Sequence, residues 1–134
     1  MSKQTDRFKR RLDAIPKAVK AAVVPALIQS GNELADLQRS LAPVDSGDLR
    51  DSIHVTRPGE ATPAYSQPGG STVAGENQVL VTVGDTAVRY PHLVEYGTAN
   101  AAAQPFFWPA FRLKRKRLTN RIKRSISKAV KEAK

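Results

Sequence analysis

The stretch Tyr90–Phe111, YPHLVEYGTANAAAQPFFWPAF, decides how this chain is read. It holds the only tryptophan, three of the four phenylalanines and two of the three tyrosines. Aromatic side chains carry the largest apolar areas, so packing outside the helices has to converge here. Pro91 to Tyr96 has the length of a single helical turn. Pro91 suits its first position, and Gly97 is placed to end it in the left-handed conformation. A β-branched residue takes that backbone poorly, so Gly97→Val is expected to prevent folding. Asn100 to Ala103 is a small, featureless connector. Pro105 and Pro109 bracket three aromatics, and Pro109 is placed to start a last helix.

Beyond this stretch, residues 109–132 read as that helix. Phe111, Leu118, Ile122, Ile126, Ala129 and Ala133 share one face, and the opposite face is almost wholly Lys and Arg. Before it, NQVLVTVGDTAVRY (Asn77–Tyr90) is the clearest strand signal. Val79, Val81 and Val83 alternate with Leu80 and Thr82, Gly84-Asp85-Thr86 turns the chain, and Val88 and Tyr90 resume the alternation. With a strand from Ile53 to Arg57 this makes three strands, expected to form one antiparallel sheet. A sheet that small needs a helix across its apolar face.

Between the strands, residues 57–77 read RPGEATPAYSQPGGSTVAGEN, with three prolines and four glycines. No apolar period runs through it, and Tyr65 and Val73 are its only sizeable apolar side chains. It is expected to be a long flexible loop that orders against a neighbouring subunit and is the first site of proteolysis. Upstream, APVDSGDLRDSI (Ala42–Ile53) opens with helix-ending Pro43 and continues with the turn formers Asp45, Ser46 and Gly47. Its aspartates Asp45, Asp48 and Asp51 do not match a calcium loop: the glycine is misplaced and no closing glutamate follows. A hydrogen-bonded turn with solvated acids is expected instead.

Residues 1–41 read as helical. Phe8, Leu12, Ile15, Val19, Ala22 and Ala26 step by fours and threes, and Leu27, Leu34, Leu37 and Leu41 continue the stripe. A short first helix is expected to end near Ala14, with Pro16 in the first turn of a longer second one. Pro25 is expected to kink that helix without ending it, and Gly31 to weaken it. The fold expected is therefore α+β within one domain spanning 1–134: a long kinked N-terminal helix, a small antiparallel sheet of about three strands and a basic amphipathic C-terminal helix.

The formal charge of +10 is placed at the ends. Residues 1–20 hold seven Lys/Arg and 112–134 hold eleven, whereas 21–111 hold four against nine Asp/Glu. Basic ends on a mildly acidic body point to polyanion contact or to docking on acidic protein surfaces, or simply to solvated faces that keep the chain soluble. Lys114, Arg115, Lys116, Arg117, Arg121, Lys123 and Arg124 are the candidate contacts. Base reading is not expected, because no base-reading motif is present and no aromatic residue interrupts the basic face. The chain has no cysteine, so disulfide and thiolate chemistry are excluded. Nothing approaches the run of about 18 apolar residues of a membrane span, and the N-terminus lacks the apolar core of a secretory signal.

The inventory for catalysis is thin. His92 and Glu95 stand three apart and can share a helical face, either for acid–base work or for a structural hydrogen bond. Without a second catalytic group the structural role is expected. No phosphate-cradling glycine loop is present, and neither a metal nor a cofactor is expected.

Two segments carry a family resemblance. APVDSGDLRDSI resembles the segment "aPvdtG-Lr-Si" of the head–tail joining, or tail-completion, proteins of long-tailed bacteriophages. YPHLVEYGT followed by QPFFWPAF is similar to that family's "Y-fvEfGT … PF--PA". Pro43, Gly47, Leu49, Ser52, Ile53, Tyr90, Glu95, Gly97, Thr98, Pro105, Phe106, Pro109 and Ala110 match, and the resemblance covers roughly residues 10 to 130. Trp108 and the long loop depart from the pattern. The resemblance implies a structural protein of the virion neck, assembled in the bacterial cytoplasm. Its copies would form a ring, hexameric by analogy with tail symmetry, between the head connector or stopper and the tail tube or tail terminator. DNA in the channel would be met only nonspecifically, and no membrane is involved. Arg57, Tyr65, Val73 and Trp108 are the interface expected on this reading. The alternative is a nonspecific DNA-binding protein that uses the basic C-terminal helix.

Overall fold

The computed structural model describes residues 17–43, 47–99 and 102–132. The expectations about Phe8 to Pro16, Asp45, Ser46, Asn100 and Ala133 lie outside them. Helix α1 spans Lys17–Leu41 and continues through Pro25 as expected. It buries Val19, Val23, Ser30, Gly31, Leu34, Ala35 and Gln38, which recur at helical spacing. Gly31 does more than weaken the helix. A Cβ there would lie 2.8 Å from Val79 Cγ1 and 3.1 Å from Val55 Cγ1, so the missing side chain is what lets α1 lie against the strands.

After Pro43 the chain enters a short turn of helix, α2 (Asp48–Asp51), through Gly47 at φ 82°. The Ser52 hydroxyl is fully buried. It donates to Leu49 O at 2.7 Å and accepts from Gly84 N at 3.2 Å. One side chain therefore satisfies the turn and ties it to the far strand, while Leu49 and Ile53 on either side enter the core. Strand β1 (Ile53–Thr56) pairs antiparallel with β2 (Leu80–Val83), Ile53 opposite Val83 and Thr56 opposite Leu80.

The sheet has two strands among the described residues, not three. The expected third strand at Val88–Tyr90 does not form, because Asp85 closes a tight turn. Asp85 Oδ1 accepts from Ala87 N and Val88 N, and Asp85 N donates to Val88 O. Val88 is buried and the chain passes directly into the next helix, leaving no length to pair. The place beside β2 is taken instead by Gln67, which exchanges both backbone bonds with Val83 at 2.9 and 3.0 Å.

The loop 57–77 thereby makes contacts on its own chain. It is braced on its own chain by polar groups rather than by apolar burial. Gly59 N donates to Ala74 O, Ala74 N to Glu60 O and Thr62 N to Thr72 O. Thr62 and Ser66 are buried, and both hydroxyls donate to Gly70 O. Asn77 closes the loop onto α1 through Lys20 O at 2.8 Å.

Helix α3 (Pro91–Tyr96) starts on Pro91 as expected and ends on Gly97, at φ 79° and ψ 174°. That conformation is not the left-handed helical one expected. It belongs to an extended positive-φ region that is open essentially to glycine alone, so the demand on this position is stricter. Helix α4 (Phe107–Glu132) begins two residues before Pro109. It runs antiparallel to α1: Ala110 and Leu118 pack with Leu34, and Ala129 packs with Val19 and Val23. The aromatic stretch supplies the other core, where Phe106 and Phe107 meet Ala35, Ile53, Val83 and Val88. The architecture is α+β: a long N-terminal helix, a small antiparallel sheet and a C-terminal helix.

Candidate subunit interface

Glu95 explains why the two halves of the aromatic stretch belong together. Its buried carboxylate accepts from Phe106 N at 2.9 Å and Phe107 N at 2.8 Å through Oε1, and from Trp108 N at 3.4 Å through Oε2. These are the first amides of α4, which have no partner inside the helix. The next residue is Pro109, which has no amide to satisfy. Every donor at this helix start is thus accounted for, and the negative charge sits at the positive end of the helix dipole. The reason for Pro109 is its place in this cap, two residues after the helix begins. Glu95 is structural, but its partner is the helix start, not His92, whose ring is exposed.

The other side of this junction is open. Tyr96 is 69% exposed, Leu93 45%, and Trp108 and Phe111 37% each. Trp108 Nε1 donates to the Tyr96 hydroxyl at 3.0 Å, and its ring meets Phe107 and Phe111 edge to face at 5.1 and 6.1 Å. A cleft lined by Gln67, Pro68, His92, Tyr96 and Trp108 runs beside it. Of the interface residues expected, Trp108 lies in this surface. Tyr65 is exposed on the adjoining loop, under the Arg89 guanidinium at 3.8 Å. Val73 is exposed on the loop ladder opposite Ala61, and Arg57 is exposed where the loop begins. The motif positions divide similarly: Leu49, Ile53, Glu95, Phe106 and Ala110 are buried, whereas Tyr90, Thr98 and Pro105 are exposed.

The basic helix divides into two sets. Lys114, Arg117 and Arg121 turn to a single acid, Glu33 of α1, at 3.3, 2.8 and 2.6 Å. Glu33 is held below its ordinary value, first by the Arg121 hydrogen bond. Burial opposes this, and Lys114 and the Arg121 and Arg117 charges add to it. Arg121 also reaches the Ser30 hydroxyl. Arg115, Lys116, Lys123 and Arg124 remain exposed. Glu33 was not singled out by the sequence reading. The signal for it is the spacing of Lys114, Arg117 and Arg121, which follows the edge of the apolar stripe at steps of three and four. Among the described residues no three His, Asp or Glu side chains gather into a metal-holding group, and no helix is long and apolar enough to cross a membrane.

The described residues thus form a long helix pair, a two-stranded sheet and an aromatic junction with one outward face. The family model described as "Bacteriophage HK97-gp10, putative tail-component" matches residues 6–97, more than half of the chain, and the chain belongs to this family. It is thus a bacteriophage tail component, and its place is the virion. No curated protein and no solved structure matches the chain.

Proposed function

We propose that the protein is a structural subunit of the phage neck. Copies of it form a ring, hexameric by analogy with tail symmetry, that joins the DNA-filled head connector or stopper to the tail tube or tail terminator. The observation that supports this is the outward aromatic surface of Leu93, Tyr96, Trp108 and Phe111. It sits on a junction whose polar groups are already closed by Glu95, so what remains is apolar area and two polar tips. Contiguous aromatic surface of this kind is the composition of a protein interface. The family membership supplies the setting. The alternative, a free DNA-binding protein, draws its support from the exposed part of α4 alone.

The test is electron microscopy of lysates from phage in which this gene is disrupted. DNA-filled heads beside separate, finished tails are the expected result. Normal infectious particles would overturn the reading. Complementation with Trp108→Ala, folded by circular dichroism, is expected to leave the same unjoined particles.

A further inference from the structure

The basic face of α4 leaves more positive charge than the fold uses. Of the ten Lys/Arg between 112 and 132, Lys114, Arg117 and Arg121 are bound to Glu33. Arg112, Arg115, Lys116, Lys123, Arg124, Lys128 and Lys131 are exposed, and none has an acid within ion-pair distance among the described residues. Arg112, Arg115, Lys116 and Lys123 fall at steps of three, one and seven, which places them on one helix face. That row spans about 16 Å along the axis.

Four occupants compete for such a row. A second copy of the chain carries the same net charge of +10 and is repelled overall, and its acids Glu33, Glu95 and Asp36 are already engaged inside the subunit. An anionic membrane would require α4 to turn a continuous apolar face outward, but Leu118, Ile122, Ile126 and Ala129 are packed on α1, and the exposed Leu113 and Val130 stand far apart along the helix. A single-stranded nucleic acid would need aromatic platforms interleaved with the cations; no aromatic residue lies between Arg112 and Lys123, and Trp108 and Phe111, just before the row, are engaged with Tyr96 and with each other. A regular duplex backbone needs only spaced positive charge.

We infer that the row Arg112, Arg115, Lys116 and Lys123 is a contact surface for the phosphate backbone of double-stranded DNA, read without sequence. The inference rests on the charge and packing of α4 and does not depend on the ring reading, which the lysate experiment decides separately. Lys114, Arg117 and Arg121, also candidate contacts from the sequence, are paired with Glu33 within the subunit and are left out of the row.

The test is fluorescence anisotropy of a labelled duplex of about 30 base pairs with the full chain, between about 50 and 200 mM salt. Four phosphate contacts give a log–log salt slope of about −4, a loss of about a hundredfold over that range. The triple variant Arg115→Gln, Lys116→Gln, Lys123→Gln, with its melting temperature unchanged, is expected to bring the slope to about −1. Arg121→Gln is expected to leave the slope as it is. An unchanged slope in the triple variant would overturn the inference, as would absence of binding at the lowest salt. Tighter binding to a single-stranded oligonucleotide, or equal binding to phosphatidylserine vesicles, would reassign the surface and also overturn it.

Discussion

Glu95 and Glu33 hold successive stretches of the same helix and do so by different physics. Glu95 is 7% exposed and spends both oxygens on backbone amides at the first turn of α4. Glu33 has a side chain 21% exposed and spends both oxygens on three flexible cations farther along. Backbone amides are fixed in place by the helix itself, so the Glu95 contacts cost little side-chain entropy and tolerate no substitute. Lysine and arginine side chains must be ordered to reach Glu33, and solvent and salt compete for them. The first carboxylate decides where the helix begins; the second trims how it lies on α1. Each has a glycine two residues away, Gly97 and Gly31, that sets its element in position.

The contrast is broken most severely at Glu95. Glu95→Ala leaves Phe106, Phe107 and Trp108 amides without an acceptor at a buried helix start and is expected to cost about 4 kcal/mol. That is a large share of the stability of a small domain. Glu95→Gln keeps the shape but offers one acceptor oxygen where two were used, and is expected to lose about half as much. Urea denaturation of the two variants measures both. Equal losses would mean that shape, not the carboxylate, closes the junction.

Next in size is Gly97→Val. Its backbone region is closed to side chains, so the strained turn is expected to cost about 3 kcal/mol. Circular dichroism of Gly97→Val and Gly97→Ala checks this. A fully stable valine variant would remove the positional argument altogether. On the other side, Gly31→Leu keeps a strong helix former in α1 but presses on Val79 and Val55, and about 2 kcal/mol is expected from overpacking. Val79 is only half-buried and can give way, which is why this loss is the smaller. A thermal melt reads it directly.

The same contrast explains what could be read from the sequence. The α+β class, the passage of α1 through Pro25, the two paired strands and the positions of Gly47, Pro91 and Gly97 follow from period and backbone chemistry, which are local. Glu95 was visible as a motif residue, but its partners lie eleven to thirteen positions on, and no local rule joins a carboxylate to amides across a connector. The third strand was misjudged because Asp85 closes the turn with its side chain, a contact that competes with strand pairing. The contacts of the loop were not legible because hydroxyls and backbone, not apolar residues, make them. Glu33 is a tertiary fact: its three cations come from a helix more than eighty residues away.

The smallest effect, and the sharpest separation of the two carboxylates, is in the response of Glu33→Gln to solution conditions. The Arg121 hydrogen bond, with Lys114 and Arg117 beside it, holds the pKa of Glu33 below the ordinary 4.5. A group lowered on folding stabilises the fold wherever it is ionised in both states, above the unfolded value, and loses that contribution as pH falls through the folded one. The melting temperature of the native chain is therefore expected to exceed that of Glu33→Gln by a constant margin from neutral pH down to about 5, and the margin to shrink below that. About 1 M salt is expected to shrink it as well, since Arg117 is largely solvent-exposed. The penalty of Glu95→Gln, made at short range to buried backbone, is expected to change little over the same salt range. If the two penalties fell together with salt, both glutamates would be acting as surface charges, and the cap at Phe106–Trp108 would not be what starts the helix.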